Sequence, residues 1–279
     1  MTTQTWFITG ASRGIGRELA RAALAAGHRV AATSRRSSDI TAALGEHANL
    51  LPLDLDVTNP AQIRAAVEVA KARFEGIDVL VNNAGYGYLG LFEETNADDA
   101  RAQFDTNVFG LFDVTRAVLP VMRAQRRGHI FNVSSIGGIA GFASATLYCA
   151  SKFAVEGFSA SLADEVRDLG IHVTVVGPGF IRTDFLDPTS VRFADSAIED
   201  YAALSQQLRE YYEQKSHQQS GDPARLAAAF LELAAAPNPP QRFSAGSDAL
   251  EVTDQRLTQL QQDRQAWAAL SSSIDGQWA

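Results

Sequence analysis

Tyr148 and Lys152 stand four residues apart at the head of a run with helical spacing, Phe153, Val155 and Phe158. Residues i and i+4 share a helix face, so the phenol and the ammonium can point into one cleft. A phenol with an ordinary pKa of about 10 is a poor acid–base group at neutral pH. A neighbouring ammonium stabilises the phenolate and is expected to lower that value. A fall of about three units needs roughly 4 kcal/mol of differential stabilisation. The same spacing also fits an ordinary pair on a solvated helix, so the rest of the chain must supply the context.

The context begins at Thr9-Gly10-Ala11-Ser12-Arg13-Gly14-Ile15-Gly16, between a short apolar run and a helical stretch. Glycines there permit a tight turn and let backbone N–H groups approach a pyrophosphate. The helix N-terminus adds partial positive charge. Gly10, Ser12, Arg13, Gly14, Ile15 and Gly16 are therefore expected to hold a dinucleotide. The next apolar run ends Ala32-Thr33-Ser34-Arg35-Arg36, without a carboxylate to bind a ribose 2′-hydroxyl. Arg35, with Arg13 from the turn, offers a charge-assisted fork for a 2′-phosphate. The expected cofactor is NADP(H) in preference to NAD(H).

Elements that must carry these groups alternate along the chain. Trp6–Thr9, Arg29–Thr33, Asn49–Leu53, Val79–Val81, His129–Val133 and His172–Val176 read as buried parallel strands. Between them, Ile15/Leu19/Ala23, Ile63/Val67/Ala70 and Phe104/Val108/Leu111 carry helical spacing. This alternation predicts an α/β fold of Rossmann type, a doubly wound parallel sheet in a three-layer α/β/α arrangement. Ligands bind at the carboxyl edge of such a sheet. The whole chain, 1–279, is expected to be one domain. Residues 184–219, with no clear strand, form its lid, and 248–270 a C-terminal helical extension. Pro237-Asn238-Pro239-Pro240 must stop a helix.

A net charge of −8 argues against a nucleic-acid partner. Cys149 is the single cysteine, which suits a reducing compartment. Neither a signal peptide nor a membrane-length apolar run is evident, so a cytoplasmic protein is expected. No His/Cys cluster suggests a metal.

With these elements in order, the chain from its N-terminus to about Thr183 resembles the short-chain dehydrogenase/reductase family. Thr9–Gly16 resembles the family's cofactor turn, and Asn82-Asn83-Ala84-Gly85 its element after the fourth strand. Asn107 matches its helix asparagine, and Ser135, thirteen residues before Tyr148, its catalytic serine. Pro178-Gly179-Phe180-Ile181-Arg182-Thr183 matches the segment that holds the nicotinamide. The resemblance implies an NADP-dependent oxidoreductase acting on a carbonyl or secondary alcohol, with Asn107, Ser135, Tyr148 and Lys152 catalytic. Asn83, Ala84 and Gly85 would contact the ribose, and Asp56 with Val57 the adenine. Pro178, Gly179, Ile181 and Thr183 would hold the carboxamide, and Lys152 the nicotinamide ribose beside Tyr148. Asn107 would hold a water linked to Lys152.

Plainer readings stand beside these. Asn82–Gly85 suits any strand-end turn. Asn107 can be a buried amide satisfied by backbone, and Asp56 an N-cap for the helix near Pro60. Ser134 competes with Ser135, and Cys149 is a packed small residue. A non-catalytic dinucleotide sensor and an epimerase or dehydratase are the competing functions.

The segment Arg242–Leu250 resembles the 17β-hydroxysteroid and retinol dehydrogenase-like branch, which implies a bulky hydrophobic ketone or aldehyde. Phe185, Phe193, Tyr201 and Tyr211 are expected to line its pocket. Ala154, Gly157, Ala160 and Ser161, with Phe109, Phe112 and Val118 on the preceding helix, suggest the homodimer or homotetramer contact that family members use.

Overall fold

The computed structural model describes residues 3–187, 190–195 and 198–276; positions 188–189 and 196–197 of the expected lid lie outside them. The first half runs β1 (Thr5–Thr9), α1 (Gly14–Ala25), β2 (Arg29–Ser34), α2 (Ser37–Leu44), β3 (Leu50–Asp54), α3 (Pro60–Phe74) and β4 (Val79–Asn82). It continues through β5 (Gly87–Leu89), α4 (Ala97–Phe104), α5 (Gly110–Gln125), β6 (Gly128–Val133), α6 (Thr146–Val166) and β7 (Ile171–Pro178). The remainder holds β8 (Val191–Phe193), α7 (Ala202–Lys215), α8 (Pro223–Ala235), β9 (Arg242–Ala245) and α9 (Ser247–Ser272).

Among the described residues, seven parallel strands form one sheet in the order β3-β2-β1-β4-β6-β7-β9. Successive strand residues face opposite sides, which divides the core in two. Trp6, Ile8 and Phe131 pack with Leu19 and Phe230 of α1 and α8. Phe7, Leu80 and Ile130 pack with Val67, Val114 and Leu162 of α3, α5 and α6. Since both faces are covered, the central strands read as unbroken apolar runs. β1 sits between β2 and β4, so chain direction across the sheet reverses there, and that crevice is where such sheets bind ligands.

Caps account for several helix starts. Asn59, followed by Pro60, accepts from the N–H groups of Ala61 and Gln62, and Asp222, followed by Pro223, accepts from those of Ala224 and Arg225. The cap of α3 is thus Asn59 and not Asp56. Helix α8 ends at Ala235, before the prolines. The helical spacing through Phe104, Val108 and Leu111 is real but not uniform. A π-helical turn, Asp105–Phe109, links α4 to α5, and the Gly110 N–H bonds back to the Asp105 carbonyl.

Three expectations need correction. Residues 184–219 do contain a strand, β8, which pairs in parallel with β5; three residues are too few to show a period. The seventh strand of the main sheet, β9, also escapes the pattern, because Arg-Phe-Ser-Ala is not an apolar run. Val118 is fully buried in the core and cannot serve an interface.

A buried polar chain ties four elements together. The Asn82 amide donates to Asn132 Oδ1 at 2.8 Å and Thr115 Oγ1 at 2.9 Å. Asn132 Nδ2 donates to Ser159 Oγ at 2.8 Å, which donates on to the Val155 carbonyl at 2.6 Å. Removing the middle of this chain strands buried groups, each costing about 1–3 kcal/mol. Asn132→Ala is therefore expected to lower unfolding free energy by about that much per stranded group, read by urea denaturation. A change below about 0.5 kcal/mol would show the chain to be energetically idle.

Candidate active site

The glycine turn is shaped by its contact with the end of β4. Gly10 and Gly14 take positive φ, +67° and +55°, which favours glycine. A Cβ on Gly16 would lie 2.4 Å from the Gly10 carbonyl oxygen and 2.6 Å from Asn83 Nδ2. Asn83 Nδ2 donates to the Thr9 and Gly10 carbonyls at 2.9 and 3.0 Å. The Asn83 and Ala84 N–H groups also donate, to Thr9 Oγ1, both at 3.0 Å. Asn83 is thus more than a turn residue, since it clamps β4 to the turn after β1. Ser12 and Ile15 are half-buried in the turn and Arg13 immediately precedes α1.

Four other residues gather where β4 and β6 end and α6 begins. Ser135 follows β6 and its hydroxyl accepts from the Gly137 N–H at 3.1 Å. Tyr148 lies on the first turn of α6, with the Ser135 side chain near enough to its hydroxyl to favour the phenolate. Lys152 Nζ sits 5.7 Å from the Tyr148 ring centroid and donates to the Val133 carbonyl at 2.9 Å. Asn107 is buried on the π-helical turn. Its Oδ1 accepts from Tyr86 N at 3.1 Å, and its Nδ2 donates to Tyr86 O at 3.0 Å and Ser151 Oγ at 3.2 Å. The amide is satisfied mainly by backbone. Gly85 permits this approach, because a Cβ there would stand 3.0 Å from Asn107 Oδ1 and 3.8 Å from Lys152 Nζ.

Electrostatics at the pair differ from the sequence-based expectation. Burial pushes Tyr148 up to about 12, only partly offset by Ser135. The protein alone therefore holds the phenol protonated instead of lowering its pKa. Burial also lowers Lys152 to about 8, against the opposing pull of Glu156 one turn on. Glu156 is itself raised by burial, and Ser134, Arg242 and Lys152 oppose the rise. Arg242 Nε meets Glu156 Oε2 at 3.2 Å. Ser134, the competitor of Ser135, accordingly faces Glu156 behind the site.

The segment after β7 is fixed by two remote elements. Phe180 N donates to Asp248 Oδ2 at 2.7 Å, and a Cβ on Gly179 would lie 2.0 Å from Asp248 Oδ1. Ile181 bridges to Gly221, with Arg182 N donating to Gly221 O at 2.8 Å and Gly221 N to Phe180 O at 2.9 Å. Pro178 ends β7. Thr183 lies against the glycine turn, 3.6 Å from where a Gly14 Cβ would be.

Above the site, Tyr148, Phe193 and Tyr212 pack on Leu89, Ala145, Cys149 and Val191. Phe185 stands 5.7 Å from the Tyr148 ring. Tyr211 points outward and Tyr201 bonds Glu93, so Tyr212 takes the inward place expected of them. Cys149 is a buried member of this cluster, its thiol pushed up by burial. Asp184, Asp187 and His217 also converge at the lid base, a grouping invisible at their sequence separation. There Asp187 accepts from Ser216 at 2.7 Å and pairs with His217 at 3.0 Å.

At the end of β2, Arg35 is exposed. Ser34 is in register with Asp54 of β3, a carboxylate that inspection of β2 alone misses. Asp54 accepts the Ser37 N–H at 2.5 Å, which lowers its pKa. Asp56 Oδ1 accepts from Thr58 N and Oγ1 at 2.9 and 2.7 Å, beside buried Val57.

Residues 4–192 match the family model described as short chain dehydrogenase. The chain is 38% identical over 271 residues to oxidoreductase BOA17 of Botryotinia fuckeliana, covering 96% of this chain and 98% of that protein. It is 39% identical over 246 residues to the 3-ketodihydrosphingosine reductase of Bacteroides thetaiotaomicron, covering 88% and 89%. A solved short-chain dehydrogenase from Streptomyces avermitilis superposes with a TM-score of 0.89 at 35% identity, over 99% of this chain and all of that one. A Burkholderia phymatum family structure with NAD (25% identity, 84% and 86% covered) and a serine dehydrogenase with NADP+ (29%, 86% and 93%) each superpose at 0.73. The chain belongs to the short-chain dehydrogenase family and is an oxidoreductase with a nicotinamide-dinucleotide fold.

The two displaced pKa values set a pH dependence of stability. Between about pH 8 and 10 the unfolded chain keeps a proton on Lys152 that the folded chain has released, so stability rises with pH. Above about 10, unfolded Tyr148 loses its proton before the folded one does, and stability falls. Urea unfolding across this range is expected to show a maximum near pH 10. Lys152→Met should remove the rising limb; a parent curve flat from 8 to 10 would contradict the buried ammonium.

Proposed function

We propose that the protein is an NADP(H)-dependent carbonyl reductase or alcohol dehydrogenase for a bulky hydrophobic ketone or aldehyde. The observation that carries this is the convergence of Ser135, Tyr148 and Lys152 beside the glycine turn at the β1/β4 crevice. The residues present fit a dinucleotide there, since Gly10 and Gly14 take the positive φ of a tight turn, and a Cβ on Gly14 would meet only Thr183, at 3.6 Å. Gly10, Ser12, Arg13, Gly14, Ile15 and Gly16 would hold its pyrophosphate, and Arg35 with Arg13 its 2′-phosphate. Asp56 and Val57 would flank the adenine, Asn83, Ala84 and Gly85 the ribose, and Pro178, Gly179, Ile181 and Thr183 the carboxamide.

When bound, the cofactor supplies the hydride that reduces the carbonyl carbon. Ser135 and Tyr148 hydrogen-bond the carbonyl oxygen, and Tyr148 Oη gives its proton to the developing alkoxide. Burial that keeps Tyr148 protonated suits this donor role. Lys152, which donates to the Val133 carbonyl, would hold the nicotinamide ribose, and its charge would stabilise the phenolate left on Tyr148. Asn107 fixes Tyr86 and Ser151, which frame the pair.

The apolar cluster that Val191, Phe193 and Tyr212 of the lid segment form with Leu89 supports a hydrophobic substrate. So does a relative named for reducing a 3-keto compound, and we retain the 17β-hydroxysteroid and retinol dehydrogenase-like branch as the reading of its tail. The chain is taken as one domain, with 184–219 as lid. A groove lined by Phe112, Ala154, Gly157, Phe158 and Ser161 supports a homo-oligomeric contact between α5 and α6 of two copies.

Tyr148→Phe is expected to lower kcat by about 100-fold or more while NADPH binding, read by fluorescence titration, persists. Substantial turnover in this variant would point to another acid. For the cofactor, kcat/KM is expected to be higher with NADPH than with NADH. Arg35→Asp should cut the NADPH value by about 10- to 100-fold, the size of a lost charge-assisted bond. A parent preferring NADH would refute the assignment.

A further inference from the structure

Helix α9 leaves the body of the protein. Its first turns are anchored, through the Asp248 bond to Phe180 and a 3.0 Å bond between Thr253 and Ser244. From Leu257 onward every described residue is exposed. A single helix of that length is marginal in water, where helical stability comes chiefly from packing an apolar face. The face exists: Leu250, Leu257, Leu260 and Trp267 are each between 46 and 63% exposed. Their successive spacing of seven, three and seven residues keeps them on the a and d positions of one heptad pattern, with Thr253 and Arg264 as polar members between them. That narrow stripe has the spacing of a two-stranded coiled coil and not of a helix lying on its own sheet.

The charges choose the occupant. In a parallel pair, Arg264 would face its own copy inside the seam. In an antiparallel pair, centred between Thr258 and Gln259, Leu257 faces Leu260 of the second copy and Leu250 faces Trp267. Arg264 then lies beside Asp254 of the second copy. Arg256, flanking the seam, comes beside Asp263. A two-fold axis makes every such contact twice. The helix carries Asp248, Glu251, Asp254 and Asp263 against two arginines, a balance unsuited to an anionic lipid surface. We propose that α9 is a self-association element that pairs antiparallel with α9 of a second copy, through Leu250, Leu257, Leu260 and Trp267. It is separate from the α5/α6 contact, so assembly by one face leaves the other available.

The test uses the full chain. Leu257→Cys and Leu260→Cys proteins, mixed and mildly oxidised, are expected to form a disulfide-linked heterodimer, while Leu257→Cys alone does not cross-link. In light scattering, Leu257→Asp/Leu260→Asp should halve the parent's mass and leave turnover per chain unchanged. Arg256→Asp should weaken association and Arg256→Asp/Asp263→Arg restore it. Cross-linking of Leu257→Cys to itself would mean a parallel pair and overturn the proposal. So would a mass unaffected by the double aspartate variant. Loss of co-sedimentation with phosphatidylserine vesicles in that variant, without a change of mass, would replace it with a membrane role.

Discussion

The carboxyl edge of the sheet depends on the clamp between Asn83 and the turn after β1. Two strand ends must be adjacent for the crevice to exist, and their approach is close enough to exclude a Cβ at Gly16. Four hydrogen bonds pass between Thr9–Gly10 and Asn83–Ala84, all donated by Asn83 and Ala84. Backbone N–H groups of the turn are thereby left facing outward at the start of α1, where the helix dipole favours an anion. Without the Asn83 amide, the Thr9 and Gly10 carbonyls would lose their partner, and the geometry of the turn would rest on glycine alone.

A second dependence runs through the back of the site. Buried Lys152 and half-buried Glu156 and Arg242 form a sequence of charges, in which burial and the neighbouring charge oppose each other at Lys152 and at Glu156. Arg242 also bonds Ser244, and Ser244 bonds Thr253 on α9. The last strand and last helix therefore bear on the charge state of Lys152. They hold the segment after β7 as well, through Asp248. The C-terminal part of the chain thus helps to build a site whose recognisable motifs all lie before Thr183.

This division explains what could be read in advance. Strands buried on both faces announce themselves as apolar runs, so six of the seven sheet strands were legible to within a residue or two at most ends. The glycine turn and the Tyr148/Lys152 pair could be picked out from local pattern, whereas Ser135 was legible only through the family resemblance and its thirteen-residue distance from Tyr148. Glu156 was within reach, one helical turn beyond Lys152, but its partner Arg242 was not. Asp248 escaped because its bond to Phe180 spans 68 residues. Tyr212 and Tyr211 are neighbours on one helix, and only the packing of α7 shows which one turns inward. The expected lowering of Tyr148 failed for a related reason: a nearby lysine is visible in a sequence, whereas the depth of burial is not.

The pairing of Ile181 with Gly221 gives the segment between them its own logic. Main-chain bonds between Phe180–Arg182 and Gly221 join the two ends of that segment at its root. A loop closed at its base behaves as an exchangeable cassette. Its length and composition can drift while the frame around Phe180–Arg182 stays put, because lengthening an already closed loop adds little entropic cost. Descendants of one scaffold can therefore rewrite the cassette between those two residues and leave the glycine turn and the Tyr148/Lys152 pair untouched.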